Sequence, residues 1–295
     1  AMNKKSTPIN PFADHPRLWR NCRYVYPVVS RRAEGLSIGV NLNHDQFCNF
    51  GCLYCQVDRS GACSRESIDI KLFTEELTLA LDEANSGRIW QEPRFANVAQ
   101  ALRRVNDIAF SGDGEPTICP DFAQAVSAAA LVRERMGPPS VKLVLITNAT
   151  LLHQPRVQRA LAIMDRNNGE IWAKLDCGTD DFFRRVNNPI GGVTLKRVLD
   201  NILESARQRE IVIQTLLFKI DGQLPPQSEI DAYCRNIGKL LEGGAQIRTI
   251  QIHTVARRTA SPSAGAIDDG DLAAISEQVK AAAPTVQVKV YGSGK

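Results

Sequence analysis

Six short apolar runs with strand character alternate with stretches of helical period along the chain. In Leu36–Leu42, the apolar residues Leu36, Ile38, Val40 and Leu42 are separated by small or polar ones, the period-two signature of a strand. Similar runs span Asp107–Ser111, Val141–Thr147, Glu170–Asp176, Ile211–Phe218 and Thr249–Val255, and Val286–Val290 predicts a further short strand near the C-terminus. Between them, apolar residues recur every three or four positions. Leu195, Val198, Leu199, Ile202 and Leu203 follow Thr194, which predicts a helix with a threonine N-cap. Ser228 before Ile230, Cys234, Ile237 and Leu241 predicts another, stopped by Gly243 and Gly244. Thr74 before Leu77, Leu81 and Ala84 predicts a third, and the stripes Phe122–Val126–Ala130 and Val157–Leu161–Met164 add two more. Strand–helix alternation of this kind argues for a parallel sheet. With about six units the fold class is α/β, a partial TIM-type (βα)6 barrel over residues 35–295 behind an N-terminal extension, residues 1–34. Functional residues of such barrels gather at the C-terminal ends of the strands.

Composition changes this picture little. The chain has 295 residues, 43% hydrophobic and 23% charged, which is enough apolar material for a large core. No run approaches the roughly 20 apolar residues that cross a bilayer, and the first ten residues, AMNKKSTPIN, lack the apolar core of a signal peptide. A cytoplasmic location is the default expectation, with no membrane partner. The net charge of +4 is mild, but Lys4, Lys5, Arg17, Arg20, Arg23, Arg31 and Arg32 face only Asp14 and Glu34 in the early segment. That cluster reads either as a phosphate or nucleic-acid footprint or as a solvated basic segment.

The chemistry lies in the cysteines. Of eight, Cys22, Cys63, Cys119, Cys177 and Cys234 are scattered singly, whereas Cys48, Cys52 and Cys55 form a C-x3-C-x2-C loop directly after the first predicted strand. Iron–sulfur clusters and structural zinc sites commonly take four protein ligands, so three thiols on one loop leave a coordination position open. His44, four residues before Cys48, could complete a Cys3His site, which leaves a non-catalytic zinc or electron-transfer protein as one alternative. At the end of the second predicted strand stands SGDGEPT, Ser111–Thr117. Its Gly112 and Gly114 let backbone approach a ligand closely.

The cysteine loop and SGDGEPT, on successive strand ends of an α/β barrel, together resemble the radical S-adenosylmethionine superfamily over roughly residues 35–256. The resemblance implies that Cys48, Cys52 and Cys55 ligate a [4Fe–4S] cluster. The remaining iron would bind S-adenosylmethionine, and reductive cleavage would give a 5′-deoxyadenosyl radical that takes hydrogen from a substrate. It implies that Gly112, Asp113, Gly114 and Glu115 receive the methionyl amino group and that Tyr54 covers the cluster and adenine. An electron donor such as flavodoxin or ferredoxin is a further implication. Trp172, Lys174 and Asp176 alternate onto one strand face. There Asp176 could accept from ribose and Lys174 meet a carboxylate, or the two could simply pair. Asn148 and Gln214 are further cofactor candidates. His253 at the end of the sixth strand is a catalytic candidate, as is Cys177 as a hydrogen-atom donor. Arg257 and Arg258 would suit an acidic or phosphorylated substrate. SRRAEGLSIGVNLN, WAKLDCGT and QIHTVAR are similar to the branch that includes tRNA wyosine-base synthases, which makes a tRNA-modifying enzyme the alternative. Those enzymes carry further upstream cysteines for a second cluster, and here Cys22 alone precedes the motif. The substrate is expected to be a small molecule, an RNA or a protein.

Overall fold

The computed structural model describes residues 18–30, 32–57, 67–257 and 259–293. Its strands and helices, in chain order, are β1 (Val25–Ser30), β2 (Gly35–Val40), α1 (Ile70–Asn85), β3 (Val105–Phe110), α2 (Phe122–Met136), β4 (Lys142–Thr147), α3 (Pro155–Asp165), β5 (Gly169–Lys174), α4 (Asp180–Asn187), α5 (Leu195–Gln208), β6 (Ile211–Leu216), β7 (Lys219–Ile220), α6 (Gln227–Glu242), β8 (Ile247–His253), β9 (Ala264–Gly265), α7 (Asp269–Ala282) and β10 (Gln287–Tyr291). One sheet runs β1-β2-β3-β4-β5-β6-β8-β10. Every neighbouring pair is parallel except β1 with β2. The sheet curls into the half-barrel of a partial TIM-type α/β fold, with helices on its outer face. No helix among the described residues is long and apolar enough to cross a membrane.

All six predicted strands form, and the C-terminal run forms β10. The sheet begins upstream of residue 35, because β1 lies in the segment expected as an extension. Its run VYPVVS carries Pro27, which lacks the N–H that a central strand needs; an edge strand with one neighbour tolerates it. The buried Glu76 of α1 fixes the start of β1 by accepting from the backbone N–H groups of Arg23 (2.7 Å) and Tyr24 (2.8 Å). Of the early basic cluster, Arg20 is committed to Glu83 and Glu92. Lys4, Lys5, Arg17 and Arg31 lie outside the described residues.

Helix starts differ from the prediction at two places. Thr194 does cap α5, its hydroxyl accepting from the Arg197 N–H at 3.2 Å. Helix α1, however, starts at Ile70 behind Asp69, which accepts from the Leu72 N–H at 3.0 Å. Thr74 sits inside that helix and turns its hydroxyl back to the Ile70 carbonyl at 2.7 Å, so a threonine read as a cap is self-satisfied one turn later. Helix α6 likewise begins at Gln227 behind Pro226, leaving Ser228 within the first turn.

The outward strand residues and the helices make one continuous core, with contacts such as Phe110 edge-on against Phe122. The inward residues form layers. Asp107, Lys142 and Glu170 line the floor, at the N-terminal end of the strands. Ala109, Val144, Trp172 and Val212 make a small separate apolar layer above it. Ser111, Lys174, Gln214 and His253 then face a cavity at the C-terminal end. The floor is held by Glu170, which accepts from Lys142 Nζ and Trp172 Nε1, each at 2.7 Å, and pairs with Arg248. Burial alone would raise the Glu170 carboxyl, but the Arg248, Lys142 and Trp172 donors overcome that and hold it below the ordinary range.

Candidate active site at the strand C-termini

A cavity of about 360 Å³ opens where β2, β3, β4, β5, β6 and β8 end. Cys48, Cys52 and Cys55 line it on one side and Ser111, Gly112, Gly114 and Glu115 on the next, so the two sequence motifs meet across one space. The cysteine loop is not self-supporting. The C-terminal end of α4 and the residues after it zip onto it: Gly51 N–H donates to Asn187 O at 3.0 Å, Leu53 N–H to Val186 O at 2.9 Å, and Ile190 N–H to Asn49 O at 2.9 Å. On its other flank the Ala260 N–H reaches Cys55 O at 2.8 Å. Two folded segments distant in sequence thus fix where the sulfurs point.

The SGDGEPT edge is equally constrained. Gly112 takes φ 137°, open to glycine and strained for other residues, and a Cβ on Gly114 would stand 2.0 Å from the Phe47 carbonyl oxygen. That contact packs the edge against the segment leading into the cysteine loop. Glu115 is buried and saturated. It accepts from Thr117 N–H (3.1 Å), Thr117 Oγ1 (2.5 Å), Thr147 Oγ1 (2.7 Å) and Asn148 N–H (2.8 Å), tying the ends of β3 and β4 together. Burial nonetheless leaves its carboxyl raised, against the pull of those donors. Asp113 is held by Asn41 Nδ2 at 2.6 Å and is not among the cavity-lining residues.

On β5 and just beyond, Lys174 and Asp176 pair at 3.3 Å. Asp176 also accepts from Tyr54 Oη, Asn187 Nδ2 (3.2 Å) and Leu216 N–H (2.9 Å). It is fully committed and does not line the cavity; Lys174 does, lying 5.0 Å from the centre of the Tyr54 ring. Of the pair, only Lys174 lines the cavity. Tyr54 lines the cavity as a neutral phenol, because burial and then the Asp176 charge lift it well above its ordinary range. Asn148 and Gln214 both reach the cavity, Asn148 bound to Asn49 (2.7 Å) and Gln214 to Gln251 (3.2 Å).

His253 lines the cavity with a buried Nδ1 that has no partner among the described residues. Burial first, then Arg32 and Lys174, push it well below its ordinary range, so it is a neutral imidazole. Arg257 also lines the cavity and donates to Gln56 Oε1 at 3.2 Å. Arg258 and Cys63 lie outside the described residues. The structure does not bring Cys177 to the cavity: it is buried, and its thiol is turned to Asn187 Oδ1 at 3.2 Å.

The donor set suits an iron–sulfur cluster. Three sulfur donors share one cavity wall, and no three His, Cys, Asp or Glu side chains among the described residues lie close enough to hold a single ion. His44 cannot complete a zinc site with them, because its ring is engaged by Arg23 and lies edge-on to Tyr24 at 5.9 Å, away from the cavity. Burial, reinforced by Asp176, lifts the Cys52 thiol to about 11, so without a metal this sulfur stays a neutral thiol. Sequence reading missed Asn187, which touches Cys52, Asp176 and Cys177 together. Nothing in the run FFRRVNNP marks it, since only the packing of α4 beneath the cysteine loop creates its role.

Comparison with known proteins agrees with this geometry. Two curated relatives are a protein named GTPase Obg of Brachyspira hyodysenteriae, 24% identical over 83% of this chain and 32% of its own length, and a UPF0026 protein of Synechocystis, 28% identical over 66% and 64% respectively. The chain thus spans less than two thirds of either. Among solved structures, a radical SAM methyltransferase from Sphaerobacter thermophilus matches with TM-score 0.60 at 13% identity, over 90% of this chain and 68% of its own. SuiB of Streptococcus suis, bound to S-adenosylmethionine, matches with TM-score 0.58 at 14% identity, over 89% and 52%. TYW1 with a lysine–pyruvate adduct matches with TM-score 0.51 at 13% identity, over 84% and 74%. At such identities these structures establish the fold. The profile of the radical SAM superfamily matches residues 42–222, more than half of the chain, from just before the cysteine loop to just past β7. This protein therefore belongs to the radical S-adenosylmethionine superfamily, enzymes that work with a [4Fe–4S] cluster and S-adenosylmethionine.

Proposed function

We propose that Cys48, Cys52 and Cys55 hold the [4Fe–4S] cluster of this enzyme, that S-adenosylmethionine binds in the adjoining cavity, and that a hydrogen atom is taken there from the substrate. The observation that carries this reading is the shared cavity: the three sulfurs and the glycine-rich end of β3 line one space at the C-terminal ends of the strands. When bound, the cluster and S-adenosylmethionine supply one-electron reductive cleavage of the sulfonium and, with it, hydrogen abstraction.

The chain's own residues do the positioning. Lys174 places a cation on the wall where a carboxylate group would be drawn, held in place by Asp176 and the Tyr54 face. Gly112 and Gly114 let the β3 edge pack closely against Asn41 and the Phe47 carbonyl, which sets where that edge meets the cavity. His253 offers a neutral ring whose Nδ1 needs a hydrogen-bond partner, suited to the cofactor's or substrate's polar groups. Tyr54 against Phe218, with Ile146 and Leu216 on the strand ends, keeps the wall near the sulfurs apolar. A small electron-transfer protein such as flavodoxin or ferredoxin would supply the electron.

Iron and sulfide content with visible absorbance tests the ligand assignment. Anaerobically reconstituted wild type should hold about four irons and four sulfides per chain, as a [4Fe–4S] cluster requires. Cys52→Ala should yield a folded, colourless protein. A fully loaded Cys52→Ala variant would remove this assignment.

A further inference from the structure

We propose that Asn187 is a positioning residue for the cluster, donating an N–H···S hydrogen bond to Cys52 that raises the cluster's reduction potential. The inference rests on the reading that Cys48, Cys52 and Cys55 are the ligands.

Each of the three sulfurs has an N–H donor, but of two different kinds. Cys48 Sγ accepts from the Phe50 N–H at 3.4 Å and Cys55 Sγ from the Val57 N–H at 3.5 Å. Both come from the backbone two residues on, so any loop of this shape supplies them whatever its side chains. Cys52 Sγ instead accepts from Asn187 Nδ2 at 3.4 Å, a side chain 135 positions away in sequence. The Tyr54 hydroxyl is also beside this sulfur but belongs to the cysteine loop itself, whereas the Asn187 contact comes from outside and can be removed by one substitution that leaves the loop unaltered.

The amide's orientation follows from its partners. The Asp176 carboxylate accepts from Tyr54 Oη and the Leu216 N–H and takes Nδ2 at 3.2 Å. The opposite atom, Oδ1, is met by the Cys177 thiol at 3.2 Å, which can donate. The N–H side must therefore face Cys52. Asn187 is buried, at 2% exposure, and its own backbone carbonyl holds Gly51 of the cysteine loop at 3.0 Å. A buried, doubly oriented amide keeps its dipole fixed through a change in cluster charge. Donors to cluster sulfurs stabilise the added negative charge of the reduced state and so raise the potential. Asn187 also stands between Cys52 and the Asp176 carboxylate, whose charge acts in the opposite sense.

The test uses reconstituted full-length protein under anaerobic conditions. In reduced wild type labelled with 15N in asparagine side-chain amides, electron–nuclear double resonance should detect a 15N coupling. Asn187→Leu, of similar volume and without an N–H, should retain the cluster, lose that coupling, and show a more negative midpoint in a redox titration followed by electron paramagnetic resonance. No side-chain 15N coupling in wild type overturns the proposal, even where the leucine variant does not fold. An unchanged midpoint in a fully loaded Asn187→Leu overturns it as well. Wild type that takes up no cluster removes the ligand reading itself, and this inference with it.

Discussion

Asp107→Asn should make the protein more stable at pH 8 and leave it no more stable at pH 4. Asp107 faces inward from β3, buried at 3% exposure, and its carboxylate accepts from Ser37 Oγ. Burial pushes this carboxyl from 3.8 up to about 6, with the Glu170 charge acting the same way and Ser37, Lys142 and Arg32 opposing. A folded-state value above the unfolded one means the folded protein holds this proton more tightly. The stabilisation is therefore complete below about pH 4 and is lost as pH rises toward 6. The shift of roughly two units, at 1.36 kcal/mol each, sets a ceiling of about 3 kcal/mol on what the charged form costs. Asparagine keeps an acceptor for Ser37 and carries no charge, but its added N–H donors need partners, so a net gain of about 1–2 kcal/mol is expected at pH 8. For a chain of this size that is a rise of about 2–8 °C in midpoint. The assay is thermal and urea unfolding of cluster-free wild type and variant at pH 8, 7, 6, 5 and 4. A variant less stable than wild type at pH 8, or a gain that does not shrink by pH 5, would refute the reasoning.

Three other outcomes follow from the same geometry. Glu115→Ala strands two backbone N–H groups and two hydroxyls in a buried site, and should cost about 3–5 kcal/mol in urea unfolding. Gly114→Ala forces a Cβ against the Phe47 carbonyl; binding of S-adenosylmethionine, followed by equilibrium dialysis, should weaken at least about tenfold, or 1.4 kcal/mol. His253 should show no charge change between pH 6 and 8 by NMR of its ring protons, because burial, Arg32 and Lys174 hold it neutral there; an ordinary histidine titration would contradict its placement.

What the sequence revealed and what it hid divide along physical lines. Strands β2 to β6, β8 and β10 of the main sheet were legible because each is a short run with apolar residues recurring along it, and most are followed by a helix with a clear stripe. The cysteine loop and SGDGEPT were legible because their function resides in residue type and spacing. Strand β1 was hidden because Pro27 interrupts a run that works only at a sheet edge. Helices α4 and α7 escaped notice too, α4 being eight residues with a charged face and α7 burying only Leu272, Ile275 and Val279 with Ser276 among them. The division of labour between Lys174 and Asp176 was beyond the sequence as well. Alternation placed both on one face, but the Tyr54 hydroxyl, the Leu216 N–H and Asn187 converge on Asp176 only once three separate segments are packed. Asn187 shows the same limit most clearly, since its partner Cys52 lies on a loop it meets only in the folded chain.

The central claim is that the cavity shared by the cysteine loop and the β3 edge is where S-adenosylmethionine is bound and cleaved. The most direct measurement is binding and turnover of S-adenosylmethionine by anaerobically reconstituted, reduced protein, with products resolved by liquid chromatography. Saturable binding with release of 5′-deoxyadenosine and methionine, both lost in Cys52→Ala, is the predicted result. Wild type that carries a full [4Fe–4S] cluster yet neither binds nor cleaves S-adenosylmethionine would contradict the account.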